Sequence, residues 1–195
     1  MKNQVTLSSP NRVVWQLFEA LRRHCARLAR NPNQDQVRQD AALAIVLAVQ
    51  CVEVFLNIFF RVVVSESDFS KSADRICADL EDPRVGLDRK LKDWPSIVFG
   101  QKLELGHGAG QRFIVLKDMR HRLMHFTSSH QTMEHDGVVI QGLADTTMYD
   151  NLKAESAIQA LRTAEDFLCE IFRLRGVAVD ALPHALHSWT GRPPT

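Results

Sequence analysis

Between Ala41 and Phe60 the chain is apolar except for Gln50, Glu53 and Asn57. This stretch constrains the fold more than any other. The run is long enough to cross a bilayer, but a carboxylate at its middle is costly in lipid. The three polar residues also recur at i, i+3 and i+7, which places them on one narrow stripe of a helix. A helix that is apolar all round except for one stripe is the central member of a water-soluble bundle. The spacing therefore predicts a long helix over 33–65, with the stripe facing a polar cleft, a partner or buried hydrogen-bonding groups. Glu53, once buried, needs a cationic partner. No membrane association is expected, and the reading is of a cytoplasmic protein.

The other segments supply helices to surround this one. Apolar residues recur with helical period at Val14, Leu17, Phe18, Leu21, Cys25 and Leu28, after a cap-like Ser9-Pro10 and before Asn31-Pro32. The solvent side of that helix carries Arg22, Arg23, Arg27 and Arg30, either a solvated face with cations near the helix C-terminus or a phosphate-contacting strip. A shorter helix is expected over 70–80, and another over 87–98 interrupted at Trp94-Pro95. The four glycines between Gly100 and Gly110 predict a flexible loop; no strand precedes them and the P-loop lysine is missing. The helix over 111–126 turns Phe113, Leu116, Leu123 and Phe126 inward. The helix over 152–175 is capped by Asp150 or Asn151, buries Ile158, Leu161, Leu168, Ile171 and Phe172, and ends at Gly176. Asp136-Gly137 before Val138-Val139-Ile140 suggests a turn and a short strand. The fold class is all-α: a four-helix bundle with extra short helices and a long loop before the last helix, one domain over 1–176. Residues 177–195 form a C-terminal tail that is partly disordered or packs on a neighbour through Leu186 and Trp189.

Composition limits what such a bundle does. The net charge of +1 gives no global attraction to nucleic acid or anionic lipid, so any basic surface is local. Cys25, Cys51, Cys77 and Cys169 are widely spaced and form no CxxC pair, as expected of buried reduced thiols.

The residues that suggest chemistry are Arg120-His121-Arg122-Leu123-Met124-His125. Arg120 falls between Leu116 and Leu123 on the inward face, where an arginine is unusual unless paired or functional. The Gln50–Glu53–Asn57 stripe offers it a partner, Glu53 above all. On an ideal helix His125 lies about 140° away from Arg120. Both reach one cleft only if the helix lies at a dimer seam or its last turn is distorted, and the seam is the expectation. A purely structural account also exists, with Arg120 tied to Glu53 and His125 only a favourable C-terminal residue. His121 and His125 at i, i+4 suit zinc, with His130 and His135 nearby, but no HExxH glutamate or cysteine pair supports it. No metal and no cofactor is expected.

An arginine, then Asn, Asp or His, then a histidine after four to six intervening residues is the signature of the HEPN superfamily. The stretch Arg120–His125 resembles it, with His121 at the second position, over a region of similarity covering roughly 10–175. The long helix carrying Glu53 also resembles the family's helix with a polar residue facing the site. The loops at 100–110 and 127–150 are more elaborate than in a minimal member. The resemblance implies a HEPN-like bundle that acts as a metal-independent endoribonuclease, often a toxin or defence factor, with an antitoxin-like or regulatory protein as a further partner. It also implies a homodimer with the motifs meeting in one cleft, Arg120 and His125 catalytic, and His121, Glu53, Asn57 and Gln50 in support. The alternative is a non-catalytic interaction or RNA-binding module of the same fold. The chemistry suits the residue types. RNA carries its own nucleophile, the 2′-OH, so cleavage is proton transfer, for which histidine is suited. The more negative transition state calls for an arginine fork.

Overall fold

The computed structural model describes residues 9–28, 30, 33–125, 133–140 and 146–194. Helix α1 (Arg12–Leu28) buries Val14, Phe18, Leu21, Cys25 and Leu28, the predicted face, with Leu17 at its edge. It starts two residues later than Ser9-Pro10 suggests. The chain first turns on Arg12 N–H to Ser9 O, at 3.0 Å, and the first helical bond goes to Asn11 O, at 2.9 Å. Its expected stop at Pro32 lies outside the described residues.

Helix α2 (Gln34–Val63) begins where Asn33 Oδ1 accepts from the N–H groups of Asp35 and Gln36, at 3.0 and 3.2 Å. By length and composition it could cross a membrane. In the fold it is the central helix, packed by α1, by α5 (Gly108–Met124) and by α7 (Ala154–Leu174). Its aromatic residues organise the core. Phe55 stacks on Phe59 at 4.9 Å between centroids, and Phe172 of α7 and Trp189 meet both edge-on.

A 3₁₀ turn (Ser67–Ser72) and α3 (Ala73–Glu81) lead into α4 (Leu87–Phe99). The predicted interruption at Trp94-Pro95 does not occur, and Pro95 sits inside a continuous helix. Tertiary packing overrides the local preference. Trp94 is wholly buried, its indole N–H donates to Asp79 Oδ2 at 3.0 Å, and its ring meets Phe60 edge-on.

The glycine-rich loop is shorter than expected, because Gly108 and Gly110 belong to the first turn of α5. Gly110 is buried where any Cβ would stand 1.9 Å from the carbonyl oxygen of Glu104. The glycine there serves a close backbone approach, not flexibility. Phe113, Leu116 and Leu123 point inward as predicted; Phe126 lies outside the described residues. A two-residue turn at Asp136 and Gly137, both with positive φ, joins β1 (Met133–His135) to β2 (Val138–Ile140).

Neither Asp150 nor Asn151 caps α7. Both belong to the short helix α6 (Thr147–Asp150) and its end, and the cap is Lys153, whose N–H donates to Ser156 Oγ at 3.2 Å. Ile158 and Leu161 are only partly buried, and Ala157, Ala160 and Ala164 take the inner positions. The helix stops at Gly176 (φ 91°), with Val177 N–H reaching back to Phe172 O.

Past Gly176 the chain forms α8 (Leu182–Thr190), which docks on α1 and α7. Leu186 and Trp189 make the contact, and the surface they cover is the chain's own core. A buried carboxylate fastens it. Glu165 accepts from Arg22 and from Arg192, both at 3.0 Å, and Arg22 also donates to Thr190 O. Burial pushes the Glu165 carboxyl above its ordinary 4.5, against the pull of Arg192 and Arg22. A carboxyl raised in the fold stabilises it while protonated, and that contribution is lost as pH climbs through the raised value. The stability of the wild type relative to Glu165→Gln is therefore expected to fall as pH rises from 4.5 towards neutrality, as read from urea-unfolding midpoints.

All four cysteines are free. Cys25 and Cys51 are buried and Cys77 and Cys169 partly so. Burial pushes the Cys51 thiol up to about 12, away from reactivity.

Candidate functional site

Helices α2, α4 and α5 enclose a cleft of about 670 Å³. Val49 and Glu53 line it from α2, Leu87, Asp88 and Arg89 from the start of α4, and Lys117, Asp118, Arg120 and His121 from α5. The predicted motif and the predicted stripe thus meet, though not as expected.

Glu53 does not pair with Arg120. Its Oε1 accepts from Lys90 Nζ at 2.9 Å. Lys90 is one of the few charged residues buried in the fold, 7% exposed, with its ammonium 5.7 Å from the centre of the Trp94 ring. The buried cation that Glu53 required comes from α4, a helix whose pattern gave no sign of it. Gln50 and Asn57 do not line the cleft. Gln50 is exposed, one position round the helix from Val49, and Asn57 Oδ1 is buried with no hydrogen-bond partner among the described residues.

The other charges are also committed. Arg89 bonds Asp79 at 2.9 Å and faces Asp93 at 3.8 Å. Lys117 reaches Asp88 and, at 3.7 Å, Asp118. Arg120 differs. It is half-buried at the cleft wall and makes no hydrogen bond or ion pair among the described residues. A guanidinium held in a concave site without a counter-ion is placed to receive an anion.

His125 ends α5. It has left helical geometry, at φ −128° and ψ 74°, while its N–H still donates to His121 O at 2.9 Å. Its ring packs on that of His121, 4.7 Å between centroids, and His121 lines the cleft beside Arg120. An i, i+4 pair shares one side of a helix, so this contact needs no distortion; His125 does not itself line the cleft and reaches it only through His121. Both histidines are solvent-exposed. Among the described residues no group of three His, Cys, Asp or Glu is placed to hold a metal; His130 is outside them.

Sequence reasoning missed Lys90, Lys117, Asp88 and Arg89. Lys117 lies on the motif's own helix, three residues before Arg120, but nothing local marks the α4 residues, which arrive by long-range packing. No family model matches the chain, nor does any curated protein or solved structure.

Proposed function

We propose that the protein is a metal-independent endoribonuclease of HEPN type, with Arg120 and His125 catalytic and His121 and Glu53 in support. The observation that carries this reading is the uncommitted Arg120 in a cleft whose other charges are already paired, one residue from a histidine that bears on His125. Arg120 would receive the scissile phosphate and stabilise its added negative charge. Histidine at this edge would take the 2′-OH proton or protonate the leaving 5′-oxygen. A homodimer would supply two copies of His125, one for each transfer.

The second reading is a non-catalytic RNA-binding or interaction module of the same fold. It is favoured by Glu53, Asp88 and Asp118, which balance the cleft's cations and weaken its pull on a polyanion.

Incubation of the purified chain with a mixed RNA pool in excess EDTA separates the two. Cleavage that survives chelation and leaves 2′,3′-cyclic phosphate ends is the expected result. Binding without cleavage across a broad substrate panel would favour the module, and activity restored only by added metal would overturn the mechanism.

A further inference from the structure

The outer face of α1 gathers exposed arginines with few counter-charges. Arg12, Arg23 and Arg27 are exposed and fall within about 60° of one another around the helix, spanning about 22 Å along it. Arg30 is exposed just beyond the helix end. The only carboxylate on this face is Glu19, which Arg23 approaches at 3.6 Å. The side chains of Arg12, Arg27 and Arg30 make no hydrogen bond or ion pair among the described residues. Arg22, which the sequence groups with this strip, does not belong to it, since it turns towards Glu165 and Thr190.

We infer that this face is a docking surface for the phosphate backbone of single-stranded RNA, separate from the Arg120 cleft. The proposal rests on the RNA reading of that cleft and extends it to a second contact. Charge complementarity identifies the occupant. The cations are all arginines, whose planar forks match phosphate oxygens in pairs. Their spread along a rod suits a polyanion and not a single small anion. A lipid surface fits less well, because the apolar side of α1 that would enter a bilayer is buried against the core. α1 packs on α2, α7 and α8, whereas the cleft is walled by α2, α4 and α5. A long RNA reaches both surfaces, and a dinucleotide held in the cleft does not.

Because backbone contacts release counterions, each neutralised phosphate steepens the fall of affinity with salt. The test measures binding across a sodium chloride series by fluorescence anisotropy, in a His125→Ala background that keeps the RNA intact. The probes are a long unstructured RNA and a dinucleotide. With Arg12→Gln, Arg23→Gln and Arg27→Gln combined, the log–log salt slope for the long RNA is expected to fall by about 2, from three contacts at about 0.7 each. Dinucleotide binding is expected to be unchanged. Thermal melting checks that these exposed substitutions leave the fold intact. An unchanged slope with RNA still bound overturns the docking face and leaves the cleft reading standing. Absence of RNA binding in the parent overturns both. Arginine-dependent binding to phosphatidylserine vesicles in place of RNA assigns the face to lipid and overturns the inference.

Discussion

Substituting alanine for Arg120 is expected to slow RNA cleavage by about 100-fold or more while changing folding stability by less than about 0.5 kcal/mol. The two halves of this result come from the same observation. Arg120 is half-buried at the cleft wall and has no hydrogen bond or ion pair among the described residues. Its removal breaks no network and leaves no buried counter-charge behind. A residue that a fold holds in place without using it for stability is free to serve a ligand. Arg120→Lys keeps the charge but loses the fork, and activity between wild type and alanine is expected. His125→Ala should act similarly on activity, since positioned acid–base groups contribute about 100-fold to 10,000-fold. The double variant should lose little more than the worse single one, because groups that act as a unit are not additive. Cleavage time courses with each purified variant, paired with urea unfolding, check both halves. An Arg120→Ala protein that cleaves at the wild-type rate removes Arg120 from the mechanism.

Phe113→Ala is expected to produce the largest loss of stability, about 3–5 kcal/mol. Phe113 is fully buried and stacks on Phe167 of α7, with centroids 4.2 Å apart. It is the main aromatic contact fastening the motif helix to the bundle. Truncation removes a large apolar surface and leaves a cavity that two rigid helices cannot close. Small domains are stable by only about 5–15 kcal/mol, so the loss is a large part of the total. Phe113→Leu keeps most of the volume and should cost less than about 1.5 kcal/mol. The denaturant midpoint of each variant measures the difference. Equal losses for Ala and Leu would mean the stacked pair is not what secures α5.

Helices whose pattern repeats locally were readable from the chain. The periodic apolar residues of α1, the Gly176 stop and the Asp136-Gly137 turn are short-range features, and the structure shows each of them. Errors came where a distant contact outweighs a local preference. Pro95 is tolerated in α4 because Trp94 is anchored to Asp79 and Phe60. Gly110 lies within α5 and not in a flexible loop, and it is glycine because the Glu104 carbonyl occupies the space that a Cβ would fill. The sequence leads to a tail over 177–195 because α8 is short and its docking depends on Glu165, Arg22 and the aromatic residues of α2.

The Arg120–His125 stretch shows the same division. Residue types and spacing by themselves marked an arginine, a histidine and a carboxylate that wants a cation. The central position of α2 follows from its composition, because a helix apolar nearly all round has nowhere else to go in water. Only the tertiary structure decided who pairs with whom. Glu53 took Lys90 from α4, so Arg120 was left open to the cleft. His125 ends the helix against His121, its i, i+4 neighbour, and only His121 of the two lines the cleft beside Arg120. Pairing of buried charges depends on which helices become neighbours, and that is not a local property of the chain.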